Sequence, residues 1–369
     1  MKEGNISKNS SNRILSIDVF RGITMFLLIG EFTQIMPLLL HHAAEGSFVY
    51  AFAEQFHHHP WNGLRFWDLI QPYFMFIVGL SLPFAVLNRQ KKGESKQQIF
   101  AHISKRAAIL LFLGWALYCI GPGKITFYFQ NVLAQIAVTY LIAYLIMNKS
   151  FTFQIVFSIG LLLLTEVAYR FFSVAGFDHP FVLMENFGTW LDLQYNGVSH
   201  NGWATINAIP TAAHTIWGVL VGKLLMSDRL ARKKLTTMIL VGVMLVITGY
   251  LMNSFTPIIK RIATSSFVIV SGGWTILTLA FLFWLVDMVG FKGKWTTFFS
   301  VVGMNSLFIY LFTHIGGANL IEQAIHPFTY SFFNTANVYY AKLLTGVFVW
   351  AALWGICYWM YKKKIFIKI

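Results

Sequence analysis

QFHHHPWNGLRFWDLIQPYFMFIVGLSLPFAVLN, residues 55–88, passes within a few positions from three consecutive histidines to a long apolar run. From Trp67 to Asn88 the run carries one charge, Asp68. At about 1.5 Å of rise per residue such a segment crosses roughly 30 Å of hydrocarbon as a helix. Soluble domains carry roughly 25% charged residues; this chain of 369 residues carries 11%, against 57% hydrophobic. The solvent it is built for is a bilayer.

Apolar windows of similar length recur near residues 20–40, 67–88, 105–121, 130–147, 152–172, 205–226, 235–253, 267–288, 296–314 and 339–361. They predict an all-α, polytopic transmembrane helix bundle of about ten spans. The polar segments between them leave no room for a separately folding unit, so residues 1–369 read as a single domain. The sequence shows neither an internal repeat nor clearly interrupted spans. MKEGNISKNSSNRILSIDVFRG at the start has the charge of a signal-peptide leader, but the apolar run behind it is too long and lacks a small-residue cleavage site. An uncleaved first span is expected. Cys119 and Cys357 both fall in apolar windows and give neither a disulfide framework nor a metal-ligand spacing.

The formal net charge of +14 is explained by where the cations stand. Segments 1–19, 89–106, 148–151, 223–236, 290–295 and 361–369 hold 21 of the 28 Lys and Arg, including Arg232, Lys233, Lys234 and Lys362, Lys363, Lys364. Basic loops mark the cytoplasmic face. Both termini are therefore expected inside, and the basic excess implies no nucleic-acid partner. The same alternation places segments 41–66, 173–204 and 315–338 outside, and loops this long are usually caps or lids. The histidine cluster is expected at the outer mouth.

Ionisable groups in or beside spans are costly there and tend to face a cavity. They are Asp18, Arg21, Glu31, His58, Asp68, Glu166, His214, Asp287 and His314. Asp18 and Arg21, spaced i and i+3, can pair as an interfacial anchor or hold a ligand. Glu31 has no basic neighbour in sequence, so it faces either a polar cavity or a partner such as His214. Glu166 and Asp287 lie near span ends, where hydration suffices. Adjacent histidines point in different directions, and no Cys or carboxylate completes a common zinc spacing, so no metal is expected. No serine sits on a recognisable elbow for a Ser/His/Asp triad. What remains is one useful imidazole, with Asp68 as the carboxylate that could orient it; neutral at physiological pH, it suits general-base work on an amine or hydroxyl. Loop packing is the competing explanation for any one of these histidines.

RILSIDVFRGITMFLLIG, HHHPWNGLRFWDLIQPYFMFIVGLSLPFA, VLAQIAVTYL, NAIPTAAHTIWGVLVGKLL, PIIKRIATSSFVIVSGGWTILTLAFLFWLVD and VVGMNSLFIYLFTH follow in this order along the chain. Together this series resembles the heparan-alpha-glucosaminide N-acetyltransferase family and its bacterial relatives, over almost the whole length. The resemblance implies a transmembrane acyltransferase that binds acetyl-CoA from the cytosol and passes the acetyl group to the amino group of a terminal glucosamine on the opposite side. The family's active-site histidine stands three residues before the Trp-Asn-Gly tryptophan, here Trp61, which implies His58 as the catalytic residue with Asp68 beside it. On this reading Asp18, Arg21, Lys105 and Arg106 contact coenzyme A near the basic inner loops, with marking the cytoplasmic face the other role open to Lys105 and Arg106. Glu31, Trp61, Asn62, His200, Asn201, Asn305 and His314 surround the acceptor, with helix packing the other role open to Asn305 and His314. A pantetheine arm threading the bundle would bring the thioester to His58.

Three places depart from the family pattern. The Asn expected late in the first span is Phe32 beside Glu31, a Gln-Arg pair reads Ala134-Gln135, and Asp-Pro-Glu-Gly reads Ser199-His200-Asn201-Gly202. These changes put the acceptor, and activity itself, in question. Direct transfer with His58 as base and Asn62 at the oxyanion, and a covalent acetyl-His58 intermediate, both fit the residues. A sugar or glycoconjugate transporter and a CoA-binding pseudoenzyme are the non-enzymatic alternatives. Expected partners are an amino-sugar or glycan acceptor, coenzyme A and membrane lipid, in a bacterial inner membrane, with a homodimer among the assemblies open to such a bundle.

Overall fold

The computed structural model describes residues 14–197, 199–333 and 338–367, whose regular elements are all helical. Helix α1, Leu15–Glu31, has no side-chain cap of its own. The Asp287 carboxylate accepts the backbone N–H groups of Leu15 and Ser16, each at 3.1 Å, so an anion from a distant element satisfies two orphan donors at the positive end of the helix dipole. The chain then bends by 60° into α2, Ile35–His42. Gln34 takes a left-handed conformation at φ +57°, and the Thr33 hydroxyl donates to the Gly30 carbonyl, closing the end of α1.

After the short α3, Phe48–Glu54, a 3-10 turn at Phe66–Leu69 leads into α4, Ile70–Lys91. Helices α5 (Lys96–Ile120), α6 (Val132–Ile146) and α7 (Phe151–Arg170) follow, started by Ser95, Asn131 and Ser150, whose side chains accept first-turn N–H groups. Helix α8, Phe187–Asn196, lies in the long segment before α9, Ala208–Met226. Next come α10, Ala231–Met252, and α11, Ser265–Leu282, which continues as a π-helical turn over Phe283–Met288. Helices α12 (Lys294–Met304) and α13 (Ser306–His314) meet at 65°, and α14 (Gly317–Phe333) and α15 (Val338–Lys362) complete the chain.

Among the described residues seven helices are each long and apolar enough to cross a bilayer, and counting each bent pair as one span gives up to nine. Seven sequence windows correspond to the unbroken helices. Windows 20–40 and 296–314 are the bent pairs, and window 130–147 is the 15-residue α6. The interruptions, unseen in sequence, fall at Gln34, three residues before Pro37, which has no N–H to offer the Thr33 carbonyl, and at Asn305, two residues after Gly303. Segment 315–338, read as a loop, contains α14.

Burial sorts the spans. About two thirds of the apolar window is buried in α4 with its 3-10 turn (67%), in α9 (67%) and in α11 (61%), against 17–22% in α5, α7 and α10. The first three form the centre; the others turn Leu163, Leu164, Leu240, Ile247 and Leu251 outward, as a lipid-facing surface requires. Lipid gives no solvent-driven reason for helices to associate, so close van der Waals packing through small residues must hold them. A Cβ at Gly79 would overlap the Thr215 carbonyl, and one at Gly218 the Phe76 carbonyl, which shows how closely α4 and α9 approach.

Candidate active site

Two loops on one end of the bundle build the site. Residues 57–65 are pinned to residues 257–264: Gly63 N–H donates to the Ile258 carbonyl at 2.8 Å, and Asn62 pairs with Ile259 as an isolated bridge. Gly63 sits at φ +151°, and a Cβ there would collide with the His59 ring. The Arg65 guanidinium donates to the His58 carbonyl at 3.1 Å and pairs with Glu54 at 2.5 Å, holding the loop from behind.

Asp68 is fully buried at the start of the α4 span. Its Oδ2 accepts the backbone N–H groups of His59 (3.2 Å) and Arg65 (3.0 Å), and its Oδ1 lies 2.9 Å from His58 Nδ1. The second loop delivers Lys260, 6% exposed, with Nζ 3.1 Å from His58 Nδ1 and 3.6 Å from Asp68 Oδ1. His58 Nδ1 cannot donate to Asp68 and accept from Lys260 at once. The carboxylate can only accept, so the proton belongs on Nδ1 and points to Asp68, while the ammonium is held by charge. Nε2 is then the lone-pair nitrogen, and the imidazole is 36% exposed. Trp203 stands edge-on to the His58 ring at 5.5 Å and lies under the Lys260 ammonium at 5.5 Å.

Burial lowers the pKa of His58, the Lys260 cation lowers it further, and Asp68 opposes both, leaving it below the ordinary histidine value. Burial also brings Lys260 down to about 8, despite the opposing pull of Asp68 and Glu31. The pair is therefore a neutral imidazole beside an easily discharged ammonium.

His58 and Lys260 open into a cavity of about 350 Å³ lined also by Glu31, Gln71, Tyr118, Gln130, Asn131, His200, Trp203, Tyr310 and His314, with Leu28 and Phe74 farther along α1 and α4. Both bent spans contribute: Glu31 ends α1 at the first bend, and Tyr310 and His314 stand on the far half of the second. Irregular backbone at membrane depth is tolerated where it borders such a cavity.

Of the residues singled out in the sequence, His58, Glu31, His200 and His314 share this cavity, with Asp68 behind His58. Phe32 sets its edge against the His314 ring at 4.9 Å. Trp61 does not line the cavity; its Nε1–H donates to the Phe181 carbonyl at 2.7 Å. Asn62 belongs to the loop-to-loop bridge, and Asn201, at φ +51°, offers its carbonyl to Arg261 at 2.8 Å. Asn305 is fully buried and bonds the C-terminal segment instead, donating to the Ile365 carbonyl at 3.0 Å and accepting from Ile367 N–H at 3.1 Å. His214 does not meet Glu31; its Nε2 lies 3.0 Å from both the Val268 carbonyl and the Ser271 hydroxyl. The histidine run diverges, with His57 Nδ1 on the Ala53 carbonyl, His58 on Asp68 and His59 packed over Gly63.

The residues assigned to coenzyme A lie away from the cavity. Asp18 and Arg21 approach to 3.8 Å, and Arg21 donates to the Ser81 hydroxyl at 2.6 Å. Lys105 is exposed, and the Arg106 guanidinium stacks 5.2 Å from the Tyr140 ring centre. Leu28 and Phe74 each stand seven residues from Arg21 and Ser81 along the same two helices, so the cavity stops about 10 Å short of that pair. Ala134 is buried in packing, and Gln135 accepts from Gln71 Nε2 at 2.5 Å and donates to the Gln130 carbonyl at 3.1 Å. Sequence reasoning passed over Lys260, Gln71, Gln130 and Tyr310. For Lys260 a signal existed: a lysine in a short segment on the side otherwise poor in cations.

The family model described as "Domain of unknown function (DUF5009)" matches residues 13–121. Over 98% of its length the chain is 25% identical to heparan-alpha-glucosaminide N-acetyltransferase of Mus musculus, covering 61% of that protein. It is also 25% identical, over 97% of its length, to the Homo sapiens protein of the same name, covering 60%. The chain thus spans about three fifths of the length of the curated relatives it matches. Its similarity nonetheless runs through nearly every helix described above, and the chain is a distant relative of the heparan-alpha-glucosaminide N-acetyltransferases.

Proposed function

We propose that this integral membrane protein transfers an acetyl group from acetyl-CoA to the amino group of a glucosamine-type sugar. The observation that carries the reading is the His58–Asp68 pair on the cavity lining, with Nδ1–H held by a buried carboxylate at 2.9 Å so that Nε2 keeps the lone pair. Nε2 takes a proton from the acceptor amine as its nitrogen attacks the thioester carbonyl. The tetrahedral adduct collapses, the C–S bond breaks, and the departing thiolate receives the proton from the imidazolium. Asp68 stabilises that imidazolium; Lys260 keeps the resting imidazole neutral and supplies positive charge beside the developing oxyanion. Asn62, engaged in the loop bridge, is displaced by Lys260 in this scheme.

The donor's route follows the α1–α4 seam. Between the cavity floor at Leu28 and Phe74 and the Arg21–Ser81 pair lie about two helical turns, and the pantetheine arm reaches His58 by parting them. The nucleotide then rests against the basic end of the bundle, on the cytoplasmic side of a bacterial inner membrane, and the sugar approaches from outside. Transporters also use interrupted spans, and the breaks at Gln34 and Asn305 support substrate passage as the second reading. Purified protein in vesicles, supplied with acetyl-CoA and glucosamine, separates the two: N-acetylglucosamine and free CoA support the enzyme, and uptake of unmodified sugar supports the transporter. His58→Ala should lower turnover by about 10²- to 10⁴-fold with CoA binding intact.

A further inference from the structure

Gln130, at the α6 side of the cavity, is 6% exposed and fixed from one direction. Its Nε2 donates to Asp192 Oδ2 at 3.0 Å. Asp192 comes from α8, is fully buried, and also accepts the Tyr195 hydroxyl at 2.6 Å and the Thr205 backbone N–H at 3.2 Å. A carboxylate encircled by donors remains an acceptor, so the amide that faces it must present nitrogen, and the amide oxygen must point the other way. That oxygen, Gln130 Oε1, is buried with no hydrogen-bond partner among the described residues, on a side chain that lines the cavity. A fixed, buried acceptor without a donor is what a hydrogen-bonding ligand would complete.

Its neighbours have the same polarity. Gln71 turns its Nε2 to Gln135, leaving its oxygen as the available end. His314 Nδ1 is 2.8 Å from the Tyr310 carbonyl, which makes its Nε2 the acceptor, and Glu31 and His58 Nε2 add two more. These acceptors share the lining with donors, Lys260, Tyr118 and Trp203, so the cavity suits hydroxyl and amine groups, which both donate and accept.

Building on the acetyl-acceptor reading above, we infer that Gln130 Oε1, oriented by Asp192, is a specificity-determining contact for one hydroxyl of a polyhydroxylated amine. Gln130 touches the sugar, and Asp192 acts through Gln130 as a positioning residue. An alkylamine of similar size leaves the oxygen unpaired and is discriminated against.

The test is equilibrium binding of glucosamine and its mono-deoxy analogues to the purified full-length protein and to Gln130→Leu and Asp192→Asn. Wild type should lose about 10-fold in affinity for the one analogue lacking the hydroxyl that meets Gln130. Gln130→Leu should bind that analogue and glucosamine alike. Asp192→Asn, which can offer its own amide nitrogen and let Gln130 turn over, should show the same loss of preference and serves as the second variant if Gln130→Leu does not fold. An analogue preference identical in wild type and variants, or absent from wild type, overturns the inference. If preference is unchanged while acetyl transfer proceeds, only this inference fails; if the preference collapses as expected without acetyl transfer, the transferase reading fails and the Gln130 contact stands.

Discussion

Replacing Lys260 by Met removes a charge 3.1 Å from His58 Nδ1 and 3.6 Å from Asp68 Oδ1 while keeping an unbranched side chain against Trp203. Two unit charges about 4 Å apart interact by ~4 kcal/mol at an effective dielectric of about 20. The imidazole is 36% exposed, so water screens its open face. We halve the interaction to ~2 kcal/mol for that screening, somewhat over one pKa unit at about 1.36 kcal/mol per unit. The cation opposes formation of the imidazolium and helps to hold His58 below its ordinary pKa. Removing it raises that pKa. A general base works only when unprotonated, so the acid limb of kcat/KM for acetyl transfer should move to higher pH by about one unit in Lys260→Met. Lys260→Arg keeps the charge and should keep the limb. The assay is CoA release over about pH 5 to 9, with circular dichroism to show that the variant is folded. A folded Lys260→Met whose acid limb coincides with wild type, or moves to lower pH, refutes the electrostatic role.

Asp68→Asn should lower kcat by about 10²-fold or more, because an amide that turns its nitrogen toward His58 reverses the tautomer and strips Nε2 of its lone pair; turnover at saturating substrates measures it. Asn305→Ala should cost about 1–2 kcal/mol of thermal stability through the lost bonds to Ile365 and Ile367, and open Lys362–Lys364 to trypsin, with KM for the amine unchanged. Gly218→Val, which drives a side chain into the Phe76 carbonyl, should cost ~3 kcal/mol or more and appear as loss of the monodisperse peak in detergent.

The membrane class and the positions of most spans were legible because a run such as Trp67–Asn88 needs nothing beyond its own composition to be a helix in lipid. The breaks at Gln34 and Asn305 were not, although Pro37 and Gly303 stand beside them, because each lies inside an apolar run long enough to read as one continuous span. His58 and Asp68 could be paired on paper because they share one loop and one turn. Lys260 reaches them across about 200 positions, and no local spacing predicts such a contact. Asn305 could be read from its apolar window either as a cavity group or as a packing amide, and only the fold decides, giving that amide to backbone from the C-terminal segment. Gln130 was silent in sequence because its meaning depends on which end of its amide faces Asp192.

A structure with coenzyme A and glucosamine bound together would decide whether His58 is the base. The thiol sulfur should lie in the cavity beside His58, the sugar nitrogen within about 3 Å of Nε2, and the pantetheine arm along the α1–α4 seam. A thiol bound elsewhere, with His58 Nε2 turned from both ligands, would contradict that role.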